Sequence, residues 1–563
     1  MEKRLVLAFA LTILVFIGFQ HFQQKGLDNA VKTQPAAQMP IQSQTPPEPA
    51  QVVPAEEPAK PASVSATDSA TDTVAGNRTV IVQGDLYRAA IDNRGAVITS
   101  WELSKYKSAQ HRNFEMIAAN HGGSERLFPG ALLFEDPQLT KLANGESYQI
   151  TIDGAPYDGA PLVPPVAVTL RLKRGDLTLE KRFSFEKDNC LVNLSSDLQL
   201  GGKALSGKFF LGQDIGPEQE HLLSSTKLEV AYFSDGKVRR EGPPDDEKEI
   251  KKLEGDVRWV GLDMQYFTMI AIPSTPLQYF DIQKRSVKAV GLDGKQVDRD
   301  LLKVTIPING SQQYQIYLGP KQQSNLKAVK TADITGIVNF GMFSILVLPL
   351  LASLRWIYQF VQNYGYAIVI LTFLLSLLLF PFRLKQIISM KKMSVVQPKV
   401  KVIQEKYRRY KKTDPKRAEM NQEIMALYKE HNVNPLGGCL PLILQMPLLF
   451  AFYSLLAYSI ELRQAPFMLW IQDLSIKDPY YVLPIVMGIT AFVSQKMTPM
   501  TPGTDPTQAK IMMVMPAIFT VMFINLSSGL NLYFLCSNIF QVGFQKIAER
   551  WIGDGKSNNP AKS

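Results

Sequence analysis

The sequence predicts an α-helical membrane protein with six spans, joined to a large antiparallel β-sandwich domain. Two observations predict this combination. Residues 5–22 and much of 334–545 are almost continuously apolar, which is typical of membrane-spanning helices. Residues 78–320 instead carry short runs of alternating apolar and polar residues, separated by turn residues, which is typical of antiparallel strands. A purely soluble enzyme and a disordered protein are both excluded by this division.

Residues 1–22 predict a signal anchor. Lys3 and Arg4 precede an uncharged run, and eighteen helical residues reach about 27 Å, close to the thickness of a bilayer core. No small-x-small cleavage pattern follows, so an uncleaved anchor is favoured over a cleaved signal peptide. The two basic residues place the N-terminus in the cytoplasm. Residues 23–77, rich in Pro, Gln, Ala, Ser and Thr, predict a disordered linker, because they lack the apolar surface to fold.

The strand pattern of residues 78–320 is clearest around one turn. Apolar residues alternate from Val166 to Leu172, Gly175 and Asp176 provide a turn, and the alternation resumes at Leu177. This pattern predicts a β-hairpin with one buried face. The segments 303–308 and 314–318 look similar, so the region predicts an antiparallel β-sandwich that lies outside the cytoplasm.

Residues 383–433 contain fourteen Lys and Arg against five Asp and Glu, and they predict a cytoplasmic helical hairpin. Because the first span leads out of the cytoplasm, an odd number of crossings must separate the β domain from this hairpin. Two apolar stretches lie between them. Residues 334–362 contain Pro349 and an Arg-Trp pair typical of an interface, so they predict an amphipathic helix on the outer leaflet. Residues 363–382 then form the second span.

Residues 434–546 predict the remaining four spans. The uncharged stretch 511–545 is too long for one span, and Ser527-Ser528-Gly529 offers a turn within it. The count is therefore six, with a cytoplasmic tail at 547–563. Most of the net charge of +10 belongs to the hairpin beside the membrane. This placement favours nascent chains, ribosomes or anionic lipid headgroups as partners, and it argues against DNA.

The sequence indicates no catalytic residue, metal site or cofactor. The three cysteines and five histidines are scattered, without metal-ligand spacing. Gly202 to Lys208 nearly matches a phosphate-binding loop, but Phe209 replaces the Ser or Thr that would bind magnesium.

Two sets of side chains are candidates for function, and each has a simpler explanation. Uncharged polar residues in the apolar spans predict either interhelical hydrogen bonds or a shared hydrophilic cavity: Thr372, Ser376, Gln445, Gln495, Asn525, Asn531, Asn538 and Gln541. Methionines on the hairpin predict either gap-filling in helix packing or an adaptable surface for varied apolar segments: Met390, Met393, Met420 and Met425.

Several motifs resemble the YidC membrane-protein insertase family, in its Gram-negative form with a large periplasmic domain. They follow one another in the family's order and cover nearly the whole chain: Trp259 to Phe267, Asn434 to Pro441, Gln445-Met-Pro447, Glu461 to Pro466, Leu469 to Leu474, Asp478 to Tyr481, Gln495-Lys-Met497, Asp505-Pro506, Ser528-Gly529-Leu530 and Leu532-Tyr533.

The resemblance implies an insertase and chaperone of the bacterial inner membrane, and not an enzyme. It implies a five-span core around a water-filled groove that is open to cytoplasm and lipid but closed to the outside. Nascent membrane proteins are the implied clients, alone or with the Sec translocon, and a weak, transient ribosome contact is implied as well. Membrane lipids are further partners. The residues assigned to this groove are Thr372, Ser376, Gln445, Gln495, Asn525 and Asn531, together with Tyr533.

This chain departs from the family at one position. The family usually carries a cation in the middle of the second span, where this chain has Ser376. Seven helical residues turn about 700°, so Arg383 lies on the same face, about 10.5 Å nearer the cytoplasm. We expect Arg383 to stand in partly for the missing cation, since its long side chain can reach toward the groove.

Two other classes of protein share some of these features. A secondary transporter would use the same polar cavity, but transporters usually show repeated halves, and this chain has no internal repeat. A sugar-binding module on a membrane anchor leaves the last five spans unexplained.

Overall fold

The structure is a computed structural model, and it describes residues 78–554 except 109–110, 118–126, 217–227, 291–295, 411–413, 415, 432–439 and 498–505. The predicted signal anchor at 1–22, the linker at 23–77 and the end of the tail therefore lie outside the described residues.

The described part of the chain forms strands first and long helices afterwards, as the sequence predicts. The strands are β1 Thr79–Gln83, β2 Tyr87–Asp92, β3 Val97–Lys107, β4 Asn113–Glu115, β5 Leu132–Leu133, β6 Gln149–Ile152, β7 Ala155–Pro156, β8 Val166–Arg174, β9 Leu177–Phe185, β10 Leu191–Leu200, β11 Lys203–Ala204, β12 Ser206–Gly212, β13 Glu229–Ser234, β14 Lys237–Glu241, β15 Ile250–Asp263, β16 Phe267–Pro273, β17 Leu277–Val290, β18 Gln296–Asn309 and β19 Gln312–Pro320. The helices are α1 Pro137–Gly145, α2 Gln323–Ala328, α3 Ser344–Val361, α4 Tyr364–Lys406, α5 Lys416–Glu430, α6 Leu440–Tyr458, α7 Val482–Met497, α8 Pro506–Phe523 and α9 Ser528–Asp554.

The β domain is antiparallel, as predicted, and the expected hairpin is β8 and β9. A long sheet runs in the order β5-β12-β18-β17-β15-β16-β19-β10-β9-β8-β6-β7 and doubles over on itself. Phe209 on β12 and Tyr314 on β19 are distant in this order, yet their rings stack at 5.7 Å across the core. A second sheet, β1-β2-β3-β4, packs on the first through Trp101 and Phe185.

The core of the β domain extends past the expected boundary at residue 320. Val329, Ile334 and Ile337 are buried in the same hydrophobic cluster as the strands. Arg240 and Lys321 both pair with the carboxylate of Asp263, and Arg240 also donates to the carbonyl of Ile337 at 2.7 Å. The segment between β19 and α3 is therefore part of the domain, although its isolated apolar residues show no strand or helix period.

Helix α4 is unbroken where the sequence suggested a boundary at 382–383. It runs for 43 residues and contains both Pro381 and Pro398. The expected second span and the first arm of the hairpin are thus one helix. The second arm is α5, and the backbone N–H of Lys416 at its start donates to the side chain of Asp414 at 3.0 Å.

The long helices share one end, at the loop 459–481. Asn363, the N-cap of α4, donates to the carbonyl of Phe467 in this loop at 3.0 Å. Helix α6 leads into the loop, α7 leaves it, and the backbone N–H of Gly529 at the start of α9 donates to Leu474 at 2.9 Å. Helices α4, α7 and α9 therefore run away from the loop, whereas α6 and α8 run toward it.

Two stretches of the described helices are long and apolar enough to cross a membrane, Gly341–Val361 and Tyr364–Ser389. Shorter apolar helices are Gln445–Tyr458, Val482–Met497 and Met513–Phe523. The expectation that residues 334–362 lie on the membrane, and the span count, stay predictions.

The β domain and the helices meet at the same loop. Ile460 is 2% exposed and belongs to the core cluster of the β domain. Gln265 donates to the carbonyl of Ala457 at 2.8 Å, and Gln464 exchanges two hydrogen bonds with the backbone of Lys107. This loop therefore packs on the β domain on one side and on the long helices on the other.

Candidate functional site

Two of the expected groove residues, from different helices, make contact inside the helical bundle, and a third lies on another helix. Gln445 on α6 donates to the hydroxyl of Tyr533 on α9 at 3.4 Å. Arg383 on α4 lies within electrostatic range of Tyr533. The ring of Tyr533 is 2% exposed and stacks on Phe452 with the centroids 4.0 Å apart. Because the ring is fixed on Phe452, its hydroxyl is held beside the Gln445 amide.

Arg383 has a donor that can bind a further group. Its Nη1 atom is buried and has no hydrogen-bond partner among the described residues. A buried guanidinium N–H requires an acceptor, and carboxylates and carbonyls are the strongest ones. Arg383 can therefore bind such an oxygen of another molecule.

Thr372 and Ser376 lie on the same face of α4 as Arg383. Thr372 is 2% exposed, and its hydroxyl donates to the carbonyl of Ile368 at 2.6 Å. Ser376 is 4% exposed. Because α4 is continuous, Ser376 and Arg383 keep the seven-residue relation that places them within about 20° of each other. The three residues form a polar stripe that ends at the guanidinium.

The other three predicted groove residues lie elsewhere. The Asn531 amide donates to three carbonyls in the α8–α9 turn, those of Phe523, Leu526 and Ser527. Asn531 is two residues from Tyr533 and so points about 200° away from it. Asn525 is exposed in the same turn. Gln495 lies near the end of α7 that is distant from the loop 459–481.

Asn538 illustrates the simpler explanation for polar residues in these helices. Its amide donates to the carbonyl of Met487 on α7 at 3.4 Å, so it forms an interhelical hydrogen bond, as membrane helices often do.

The loop 459–481 packs against the start of α9, at the end of the bundle nearest the β domain. The backbone N–H groups of Ser528 and Gly529 donate to Ile476 and Leu474 in the loop 459–481. Asp478 is fully buried; it accepts from the indole N–H of Trp470 at 2.9 Å and from the backbone N–H of Leu483 at 2.7 Å. This loop thus forms a packed lid over the α8–α9 turn.

Sequence reasoning missed Phe452, which holds the ring of Tyr533. A signal was present, since Phe452 follows Gln445 by seven residues and therefore shares its face of α6. An apolar residue inside an apolar helix does not stand out, however, until its neighbour is known.

Two of the four hairpin methionines are accounted for by packing. Met393 is 2% exposed and forms a small core with Val396, Val400 and Tyr428, and Met425 packs against this core. Met420 is half-buried, and the side chain of Met390 lies outside the described part. For Met393 and Met425 the structure therefore favours gap-filling over an exposed client surface.

The near match to a phosphate-binding loop is a β-structure. Residues 203–204 form β11, which pairs with β10, and Lys208 lies within β12, where it pairs with Asp281 at 2.7 Å. No helix begins there to hold a phosphate. Within the described ranges, no three metal-binding side chains lie together.

Two family models match the chain. One is described as the YidC periplasmic domain and matches residues 79–353; the other is described as the 60Kd inner membrane protein and matches residues 356–555. A relative from Syntrophus aciditrophicus (strain SB), named membrane protein insertase YidC, is 33% identical, with 97% of this chain and 99% of its own covered. A relative of the same name from Geotalea uraniireducens (strain Rf4) is 34% identical, with 97% and 98% covered.

A solved structure is also similar to this chain. It is described as an active YidC insertase crystal structure with the first transmembrane domain resolved. It is 16% identical and has a TM-score of 0.37, with 84% of this chain and 94% of that one covered.

Proposed function

Because the chain belongs to the YidC family of membrane protein insertases, we propose that it inserts nascent membrane proteins into the bacterial inner membrane. The observation that carries this proposal is the identity of 33% over 97% of the chain to a relative named as an insertase. The protein works alone on small clients and with the Sec translocon on larger ones. It is an insertase and not an enzyme.

The proposed topology has six spans, with both termini in the cytoplasm and the β domain in the periplasm. Helices α4, α6, α7, α8 and α9 form the five-span core, and their alternating directions support this assignment. Helix α3 lies on the outer leaflet. Its Arg355 pairs with Glu461 in the loop 459–481 and donates to Gln323 of α2 at 2.6 Å, so it is anchored at the periplasmic end.

The proposed groove is lined by Arg383, Ser376 and Thr372 along α4, and by Gln445 on α6 and Tyr533 on α9. The packed lid of residues 459–481 supports closure on the periplasmic side. A polar flank of a client would enter the groove and bind amides and the guanidinium in place of lipid, which lowers the cost of its transfer. The apolar segment of the client would slide along the lipid-facing side.

The basic hairpin is proposed to face the cytoplasm, where it contacts nascent chains, lipid headgroups and, weakly and transiently, ribosomes. Its fourteen Lys and Arg against five acidic residues support this orientation. DNA is not a partner in this arrangement, because the charge lies beside the membrane.

The proposal is tested by depleting the protein in cells and following small two-span membrane proteins. An insertase predicts that these proteins stay uninserted, and that the intact chain restores them. A transporter predicts normal insertion after depletion. The measurement is the protease-protected fraction of a pulse-labelled client.

The groove is tested separately with clients that carry neutral or acidic flanks. We expect Ser376→Arg to be tolerated, because a guanidinium there faces a wet groove, whereas Ser376→Leu should impair clients with acidic flanks first. Leu378→Arg is the matched control: Leu378 is 68% exposed on the other side of α4, where an arginine costs roughly 2.5–3.5 kcal/mol on insertion scales. A destabilised Ser376→Arg protein together with a silent Ser376→Leu would place position 376 in packed helix or lipid.

A further inference from the structure

The second half of α4 carries two parallel rows of side chains, each with a spacing of seven residues. The apolar row consists of Ile388, Val395 and Val402, and the lysine row consists of Lys385, Lys392, Lys399 and Lys406. Each apolar residue is followed four positions later by a lysine. Four helical residues turn about 400°, so the lysine row lies about 40° beside the apolar row.

Both rows lie on the surface of the hairpin. Val395 is 64% exposed and Val402 is 67% exposed. The opposite side of α4 packs on α5 through Met393, Val396 and Val400. The apolar row is therefore not part of the hairpin core, and it leaves two β-branched residues facing outward on a charged helix.

We propose that this double row docks an amphipathic helix of a partner membrane protein, one that carries acidic residues beside its own apolar row. Helices that pair side by side use apolar residues at two heptad positions with charges beside them; this helix supplies one apolar position and a row of lysines, so a partner helix would add the second apolar position and the acidic residues. The stretch from Lys385 to Lys406 contains 22 residues and is about 31 Å long, which matches a partner helix of about six turns. The proposal rests on the proposed membrane topology for the location of this surface.

Lipid headgroups, which the hairpin is proposed to contact where it leaves the membrane, do not cover this double row. The headgroup layer adds only about 5–8 Å on each side of the bilayer core, whereas the rows extend about 31 Å along an unbroken helix. Headgroups would reach the first lysines and leave Val395 and Val402 uncovered.

Charge excludes two protein occupants. The cytoplasmic flanks of ordinary membrane-protein clients are enriched in Lys and Arg, so this lysine row would repel them, and the proposed contacts of nascent chains with the hairpin lie outside it. A second copy of this chain docked through the same face would bring two lysine rows together. An acidic helix avoids both repulsions.

The direction of approach follows from the helix geometry. Leu377 lies eleven residues before Ile388. Eleven helical residues make three turns plus about 20°, so the two side chains lie on the same face of α4. Leu377 is half exposed on the side of α4 that carries Ile370 and Leu374, the proposed lipid-facing side. The docking surface thus continues that side, so a partner embedded in the same membrane reaches it directly.

Two of the lysines already have neighbours within the hairpin. Lys406 pairs with Glu423 at 2.8 Å, and Lys399 contacts the ring nitrogen of His431 at 2.9 Å. The pair of Lys406 is exposed, and exposed pairs contribute little, so a partner carboxylate can share the lysine.

The test measures binding of a fluorescent synthetic helix to the full-length protein in discs of zwitterionic lipid. The probe is a 24-residue peptide with Leu at heptad positions and a row of Glu beside them. Wild-type protein should bind it. The pair Val395→Ser with Val402→Ser should weaken binding at least about 10-fold. The pair Lys392→Gln with Lys399→Gln should weaken it similarly and flatten its salt dependence.

Matched controls sharpen the test. Lys401→Gln and Lys429→Gln remove exposed charges outside the rows and should change the affinity less than about 2-fold. A wild-type protein that does not bind the peptide overturns the proposal. Equal binding of a peptide with Lys in place of Glu, or with Ser in place of Leu, overturns it as well. Binding of a 20-nucleotide RNA or of anionic vesicles that depends on the lysines but not on the valines would assign the surface to a polyanion. No client protein is present in this binding assay, so its result does not depend on whether the protein inserts membrane proteins.

Discussion

Arg463 should hold the β domain on the helical bundle. Its guanidinium lies over the rings of Phe114, Tyr266 and Phe267, at 5.3 to 5.5 Å, and it donates to the carbonyl of Lys107 at 3.0 Å. Each cation–π contact is worth about 0.5–1 kcal/mol at partly exposed sites, and one hydrogen bond about 1 kcal/mol. Since the three rings share one cation, we expect Arg463→Ala to weaken docking by about 2 kcal/mol.

The backbone amide of Lys107 reports this docking directly, because it donates to Gln464 across the junction at 3.0 Å. A loss of about 2 kcal/mol corresponds to roughly 30-fold faster hydrogen exchange at this amide, if exchange requires undocking. The measurement is hydrogen exchange of the end of β3 in the full-length protein. Arg239→Ala is the control, because Arg239 is exposed on β14 and pairs with Asp235 in its own hairpin.

Exchange at Lys107 that is unchanged in Arg463→Ala would refute the reasoning. An equal increase in Arg239→Ala would refute it too, since it would show a general loosening of the domain. Faster global unfolding alone would not distinguish loss of docking from loss of domain stability, so the exchange of the Lys107 amide itself must be followed.

Three further predictions concern stability. A Cβ added at Gly488 would lie 2.0 Å from the Thr520 hydroxyl, whereas one at Gly543 meets no atom within 4 Å, so Gly488→Ala should lower the melting temperature of the bundle and Gly543→Ala should not. Burial lowers the pKa of Lys181 to about 7, so between this value and 10.5 the unfolded chain binds a proton that the folded domain lacks. The free energy of unfolding of the β domain should therefore rise from pH 7 to pH 10, and chemical denaturation should show this slope in the wild type but not in Lys181→Met. Asp478→Ala leaves the Trp470 indole and the first turn of α7 without their acceptor, so proteolysis within residues 459–481 should accelerate about 10-fold, while Asp473→Ala in the same loop should have a smaller effect.

The antiparallel β domain was predictable because alternation has a period of two wherever one face is buried. The hairpin at β8 and β9 was found in this way. The segment that contains Val329, Ile334 and Ile337 was not, because its apolar residues are too widely spaced to show a period. Only the packed structure shows that they complete the core.

The helices show a similar limit. Charge composition changes sharply at Arg383, and this change suggested a boundary between a span and a hairpin. Helix α4 continues through Arg383. A change in charge determines whether a helix lies in lipid or in water, but it does not by itself end the helix.

The candidate site was partly predictable. Residue type and spacing pointed to Ser376 and Arg383 on one face, and the structure brings Arg383 near Tyr533. Residue type could not separate Asn531, whose amide donates to carbonyls in a turn, from an amide that lines a groove. That distinction depends on which backbone groups lie nearby.

The measurement that tests the account most directly is insertion by the purified protein. The full chain is reconstituted into liposomes, a small two-span membrane protein is synthesised in their presence, and the protease-protected fraction is compared with that of empty liposomes. An insertase predicts protected fragments of the expected size only in liposomes that contain the protein, with less protection for acidic-flanked clients in Ser376→Leu. Equal protection in empty and loaded liposomes would contradict the claim that this chain inserts membrane proteins.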